Sequence, residues 1–407
     1  MTKSERTVNG LGYRWPSKPG VIICADGLDM AYLDAAFAAG RAPYLAGLME
    51  QGLVRPAAGA MPSFTNPNNM SIVTGQPPLV HGIAGNFFLD QASGEHVMMN
   101  DPAYLRAPSI LSEFSQAGAS VAVVTAKDKL RKLLGYGLDM SNAVCFSTEF
   151  ADRVTLAENG IEAAPISVEI PSVYSAAVSE AVFEAGLNLL TSRKPDLLYL
   201  STTDYIQHLH APEDETALAF TEMVDDYMRR LAEAGANVIL TADHGMNGKS
   251  LTDGSPNVAY LQTFLDRFVP GAVVILPITD PYVVHHGALG SFATIYLLPG
   301  DDVEKAATAL RDVPAVELVI TAAEAEQVLE LPQDRIGDLC VMARKDAVLG
   351  TREEEHDLSE LRGALRSHGG LHEQSVPFAV SDAPSNWPSK LRNFSAFDVL
   401  LNRMGES

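Results

Sequence analysis

Three apolar runs in this chain each stop at an aspartate, a repetition that narrows the fold sharply. Val21-Ile22-Ile23-Cys24-Ala25 stops at Asp26, the run from Leu197 to Thr203 stops at Asp204, and the run from Asn237 to Ala242 stops at Asp243-His244-Gly245. Short, nearly continuous apolar runs read as strands buried on both faces, the habit of parallel sheets. Helix-like stretches lie between them, around 31–51, from about 175 to 192 with Ala176, Val182, Leu187 and Leu190, and from about 214 to 234. A further apolar run, Ser120 to Ala126, follows a helix ending near Gly118. The alternation predicts βαβ units and an α/β fold, a central, mostly parallel sheet flanked by helices. Ligands of such sheets bind at the carboxyl ends of the strands. Carboxylates gathered at that edge repel one another and lose solvation, so they call for a divalent cation.

At 407 residues the chain exceeds the roughly 250 to 300 at which single cores stop growing, so a second, smaller unit is expected. Residues 255–365 change character, with short strand-like runs and two helical stretches in α+β order. The chain therefore divides into a metal-binding α/β core, 1–254 and 366–407, and a smaller inserted α+β cap domain, 255–365. The net charge of −22 argues against nucleic acid and against docking on anionic membranes, either of which needs clustered Lys and Arg. No stretch approaches the roughly 18 to 20 apolar residues of a membrane span, and the first residues carry no apolar leader. Cys24, Cys145 and Cys340 are far apart in apolar runs and read as reduced core residues, so a cytoplasmic location is expected. The oligomeric state stays open, a homodimer included.

Asp204 and His208 are four residues apart at a predicted helix start, which sets a hard oxygen and a borderline nitrogen on one face for a shared metal. Alone, such a pair is more readily an exposed polar pair at a helix N-terminus. Asp243-His244 is a stronger sign, because adjacent ligands at a strand-to-loop corner can both turn toward one site. His368-Gly369-Gly370-Leu371-His372 offers two imidazoles in one loop, and position does not choose between them. The segment Met61 to Gly75 carries Ser63, Thr65, Ser71 and Thr74, with a helix predicted to begin near Asn68. A hydroxyl just before a helix N-terminus meets backbone N–H groups and the positive end of the dipole, which favour an alkoxide and an incoming anion. A helix cap is the plain alternative. Lys127 and Lys129 lie in the densest basic stretch, 127–132, at the same predicted sheet edge as the aspartates. They are placed to meet an anionic substrate, unless they form an ordinary solvated turn. His285 and His286 read as structural, and His81 and His96 suggest no chemistry.

Jointly these residues resemble the alkaline phosphatase superfamily, its nucleotide pyrophosphatase/phosphodiesterase branch, and within that branch the phosphonoacetate hydrolases. The resemblance rests on Asp26, Thr65 in Thr65-Asn66-Pro67-Asn68, Ser71-Ile72-Val73-Thr74-Gly75, His81-Gly82-Ile83, Asp204 with His208, Asp243-His244-Gly245 and the late His372. It implies an alkaline-phosphatase-like core and two zinc ions. One would be held by Asp204, His208 and His372, the other by Asp26, Asp243, His244 and the Thr65 oxygen. Iron or manganese would also suit Asp/His sites of this kind. The resemblance further implies Thr65 as nucleophile, Asn86 as donor to the phosphoryl oxygens, and Lys127 and Lys129 as the pair for the carboxylate of a small phosphonate. Asn69 departs from the broader branch, which often has His there, and is expected to bear on substrate preference more than on metal binding. The implied reaction is hydrolysis of the carbon–phosphorus bond of phosphonoacetate to acetate and phosphate. A phosphodiesterase or phosphomonoesterase of the same superfamily is the alternative enzyme, and a non-catalytic metal-binding protein is the alternative from another class.

Overall fold

Eleven strands in two sheets carry the parts of the molecule that matter for its site. The computed structural model describes residues 5–151, 175–279, 287–359, 361 and 363–404, and His285 and His286 lie outside them. Strands β1 (Gly20–Cys24), β2 (Val54–Ala58), β3 (Val121–Thr125), β4 (Ala143–Ser147), β5 (Leu197–Ser201) and β6 (Asn237–Thr241) belong to the larger sheet. The chain then builds β7 (Val273–Ile275), β8 (Phe292–Tyr296), β9 (Val316–Thr321) and β10 (Leu339–Ala343), and returns to the larger sheet as β11 (Ser375–Val380). The order in the larger sheet is β2-β11-β6-β1-β5-β3-β4, and β11 runs antiparallel to both neighbours. Strands β1, β3, β4, β5 and β6 are buried at every position, as their unbroken apolar composition requires. The fold is the mixed α/β, mostly parallel arrangement that the sequence predicts.

Register matters more than topology here. Thr241 of β6 pairs with Cys24 of β1, Cys24 with Ser201 of β5, and Ser201 with Thr125 of β3. Asp243, Asp26 and Lys127 each follow that level by two residues and Asp204 follows it by three, so four neighbouring strands release them at one edge. Strands about 4.8 Å apart put such residues within side-chain reach of one another.

Helices α1 (Met30–Ala38) and α2 (Pro43–Glu50) divide the 31–51 stretch that reads as one helix. Gly40, at φ 69°, ends the first, and Pro43 begins the second, where its missing N–H does no harm. Helix α3 (Thr65–Thr74) begins at Thr65 instead of near Asn68, because Pro67 is tolerated inside a first helical turn. Helices α4 (Asp128–Leu134) and α6 (Tyr205–Leu209) start just beyond β3 and β5, while α5 (Ala176–Ser192) and α7 (Glu215–Glu233) stand where the spacing predicts.

The smaller sheet, β7-β8-β10-β9, is antiparallel throughout. Among the described residues the helices Leu261–Leu265, Val303–Arg311 and Ala322–Leu329 accompany it, three where the sequence suggests two. A two-residue ladder between Asn247–Gly248 and Arg366–Ser367 joins the chain's departure to its return. The smaller sheet has an apolar cluster of its own, which Met61, Phe64 and Ala84 enter from the first part of the chain. Phe64 meets Phe292 edge-on at 6.4 Å, so this layer braces the turn into α3. Among the described residues no helix is long and apolar enough to cross a membrane.

Candidate metal centre and substrate pocket

Asp26, Asp204, Asp243, His208, His244 and His368 converge at the carboxyl edge of β6, β1 and β5, all of them buried. Two sets of ligand atoms each lie within 4.8 Å of one another, Asp204 with His244 and His368, and Asp26 with Asp243 and His244. His208 Nε2 stands 2.9 Å from Asp204 Oδ2, and His368 Nε2 stands 3.6 Å from the same oxygen. His244 Nε2 lies 3.2 Å from Asp26 Oδ1, and its ring stacks on His368 at 3.6 Å between centroids.

The imidazoles share one device. Nδ1 of His208 donates to the Arg366 carbonyl at 2.9 Å, that of His244 to Gly245 at 3.0 Å, and that of His368 to Ser63 at 2.9 Å. A carbonyl only accepts, so each ring carries a proton on Nδ1 and leaves Nε2 as the nitrogen that faces carboxylate oxygens and can ligate when deprotonated. Lone pair facing lone pair is repulsive unless a cation or a proton lies between, and ligating histidines are held in this way. Among the described residues no well-formed hydrogen bond reaches the buried Asp26 Oδ1, although His244 Nε2 lies 3.2 Å from it. The donor set of carboxylate oxygens and imidazole nitrogens therefore fits divalent metal, zinc included.

The charge balance gives the same answer. Burial and the neighbouring Asp204 and Asp243 push the Asp26 carboxyl up to about 8. Burial works against a charged His244, but Asp243 and Asp26 overcome it and raise the imidazole to about 10. Burial also works to raise Asp204, yet Lys127, with Nζ 3.4 Å from Oδ1, and His208 hold it well below the usual carboxylate range. His368 is pushed well down by burial and by His244 and His208, leaving it neutral, the form that ligates. The cluster is short of positive charge, and protons stand in for it.

Thr65 opens α3 with its Oγ1 3.4 Å from His244 Nε2. It is the one residue of 61–70 that keeps some exposure, while the helix behind it is buried throughout. Buried asparagines would weaken that helix if unpaired, and each is bonded. Asn68 donates to the carbonyls of Ala60, Pro62 and Phe64 and accepts from Ala60 N, and Asn66 donates to Met99 O. Asn69 donates to Asp243 Oδ2 at 3.2 Å and accepts from Tyr199 Oη at 2.8 Å. It orients a candidate ligand from behind, which gives it a bearing on the metal cluster that the sequence reading set below substrate preference.

Thr65, Asn86, Lys127 and Lys129 line one pocket together with Asp26, Asp204, His208 and His368. Met98, Asn100, Leu130 and Ile278 complete much of its wall. Asn86 Oδ1 accepts from Asn66 N at 3.2 Å, which orients the amide relative to the helix start.

His372 is not among these residues. It is exposed and pairs with Glu317 on β9 at 2.6 Å, so the ligand expectation for His372 is corrected in favour of His368. The backbone at Gly369, φ 114°, explains the choice. A Cβ there would stand 2.3 Å from the Phe64 ring, and only glycine lets the loop fold over Phe64 directly after His368. By residue 372 the chain has left the cluster in a short 3-10 turn. The available signal was position, since His368 directly follows the two-residue strand Arg366–Ser367, as the aspartates follow theirs.

Sheet, strand-edge cluster and the helix that opens at Thr65 together define a class. The sequence matches the type I phosphodiesterase / nucleotide pyrophosphatase family over residues 21–371, and the chain belongs to that family. Its structure is similar to that of phosphonoacetate hydrolase from Sinorhizobium meliloti 1021, solved in complex with phosphonoformate and with phosphonoacetate. Identity is 52%, 98% of each chain is covered, and the TM-score is 0.93. Murine ectonucleotide pyrophosphatase / phosphodiesterase 5 shares the fold at 16% identity, with 95% and 96% of the two chains covered and a TM-score of 0.64. An uncharacterized pyrophosphatase/phosphodiesterase of Schizosaccharomyces pombe is 24% identical over 242 residues, which are 56% of this chain but 44% of that protein.

Proposed function

We propose that this protein hydrolyses the carbon–phosphorus bond of phosphonoacetate to acetate and phosphate, with Thr65 as nucleophile at a two-zinc site. The observation that carries the reading is the meeting in one pocket of Thr65, the His/Asp cluster and the Lys127–Lys129 pair. A nucleophile and phosphoryl-binding groups face one end of a small dianion, and cations face the other. Its likeness to an enzyme whose structures hold phosphonoformate and phosphonoacetate supports the same substrate class.

Asp204, His208 and His368 would hold one ion, and Asp26, Asp243, His244 and the Thr65 oxygen the other. Bound there, the ions supply Lewis-acid stabilisation of phosphoryl charge and lower the pKa of the threonine hydroxyl. The chain's own groups do the rest. Thr65 Oγ forms its bond to phosphorus as the carbon–phosphorus bond breaks, and the electron pair leaves with carbon, which takes a proton to become acetate. Asn86 donates to a phosphoryl oxygen. Lys127 and Lys129 neutralise the charge that the leaving carbanion spreads into its carboxylate, which makes a poor leaving group tolerable. Water then cleaves the threonine phosphoester and restores the hydroxyl. Residues 255–365 act as a cap on this site, a reading supported by Ile278 in the pocket wall and Phe292 against Phe64. Three buried free cysteines suit a reducing cytoplasm.

The test is phosphate release by the purified, zinc-loaded protein from phosphonoacetate beside a nucleotide diester. Phosphonoacetate should be turned over and the diester barely, and Thr65→Ala should abolish turnover while zinc content stays near two per chain. Preference for the diester, or an active Thr65→Ala, would sink the proposal.

A further inference from the structure

Lys249 and Glu373 form an ion pair at 2.9 Å with no side-chain exposure on either partner. Lysine and glutamate are almost never fully buried unless paired, and a buried pair adds little net stability over an apolar replacement. Geometry is what this pair supplies. Glu373 Oε1 accepts from Lys249 Nζ and, at 2.6 Å, from Asn247 Nδ2, while Oε2 accepts from Gly370 N at 3.0 Å. The Glu373 carbonyl accepts from Gly245 N at 2.7 Å, and Lys249 Nζ also donates to the Lys345 carbonyl at 2.7 Å.

These contacts link two loops that bear candidate ligands. Gly245 and Asn247 belong to the loop that follows His244, and Gly370 belongs to the loop that follows His368. Gly370 is pinned from its other side, its carbonyl accepting from Ser63 Oγ at 2.9 Å. Lys345, beyond β10, ties the pair to the smaller sheet. The stacked rings of His244 and His368 thus have a rigid, fully enclosed tie behind them.

We infer that Glu373, anchored by Lys249, is a positioning residue that fixes the His368 loop against the His244 loop and so sets the spacing between two metal ions. The inference rests on the two-ion reading above. It assigns the glutamate no contact with substrate or metal. Its effect is on how tightly the ions are held, as expected for groups that orient ligands from behind.

Removing Glu373 alone would bury an unpaired lysine, so the test uses paired variants starting from the zinc-loaded protein. Lys249→Met/Glu373→Met removes both charges and every side-chain acceptor. Lys249→Met/Glu373→Gln removes both charges but keeps an amide oxygen for Gly370 N–H. The readouts are zinc retained per chain across a chelator series and the thermal midpoint of the metal-free protein. The methionine pair should keep a midpoint near that of the parent and release half its zinc at about 10- to 100-fold lower chelator. The glutamine variant should recover most of that loss. A methionine pair that holds zinc as tightly as the parent would overturn the inference, as would a glutamine variant no better than methionine. A parent that binds no zinc would refute the underlying metal reading instead.

Discussion

His368 and His372 lie in one loop, and the structure separates them by where each Nε2 points, toward Asp204 Oδ2 at 3.6 Å or toward Glu317 at 2.6 Å. His368→Ala should therefore reduce metal content by about one ion per chain and lower turnover at least as much as loss of a ligand-orienting group, about 10- to 100-fold. His372→Ala should leave content and turnover unchanged. Elemental analysis of dialysed protein decides it, and loss of an ion from the His372 variant would reinstate that residue as ligand. A different discrimination applies to Lys127 and Lys129. If they meet the substrate carboxylate, alanine at either should weaken phosphonoacetate hydrolysis by about 10- to 100-fold, the range of a charge-assisted hydrogen bond of roughly 1.5–3 kcal/mol. Nitrophenyl phosphate, which has no carboxylate, should be much less affected. Equal losses on both substrates would reduce the lysines to a structural role, one that Lys127 also has through its pairing with Asp204.

Helix α3 carries the proposed nucleophile, Thr65, and a buried histidine helps to hold the helix. His81 Nδ1 accepts from Ile83 N at 3.2 Å, so the proton sits on Nε2, which donates to Ser71 Oγ on α3 at 2.9 Å. Burial, aided by Arg335, pushes this imidazole down to about 3. The folded value lies below the unfolded one, so the unfolded chain takes up a proton first as pH falls. Stability that is complete above about pH 6.5 should then be lost toward pH 3, by about 1.4 kcal/mol per unit from this residue. Chemical unfolding of metal-free protein between pH 7 and 4.5 should show a slope shallower by one proton in His81→Gln, and an identical slope would remove His81 from the account. Nothing in the sequence marks this role, since Ser71 and Ile83 gain meaning only once the helix is packed. The same limit separates what was legible from what was not. Strands such as Val21 to Cys24 declare themselves through unbroken apolar runs, and Asp26, Asp204 and Asp243 follow from where those runs stop. The split between α1 and α2 is a local matter of Gly40 and Pro43. Asn69 on Asp243 and Glu373 on Gly370 instead depend on contacts made only after the chain has closed on itself.

At the scale of the whole molecule, the in-register ends of β6, β1, β5 and β3 force three buried carboxylates and a half-buried lysine to one edge. The fold thereby gathers buried negative charge that a bound cation would offset. In the metal-free protein Asp26 and His244 both titrate above neutrality, at about 8 and about 10, so both hold protons at pH 7. Ligation requires both groups deprotonated. Zinc uptake at pH 7 should therefore release at least one proton per chain, and the number should fall as pH rises past about 8, where Asp26 ionises unaided. Calorimetric titrations in buffers of differing ionisation enthalpy count these protons directly. The same binding should stabilise the fold by about 2.7 kcal/mol per site when free zinc is 100 times the dissociation constant. Chelation should lower the thermal midpoint and zinc should restore it. A midpoint indifferent to chelator, or zinc binding without proton release, would mean that the clustered carboxylates are neutralised from within and that the edge is not a metal centre.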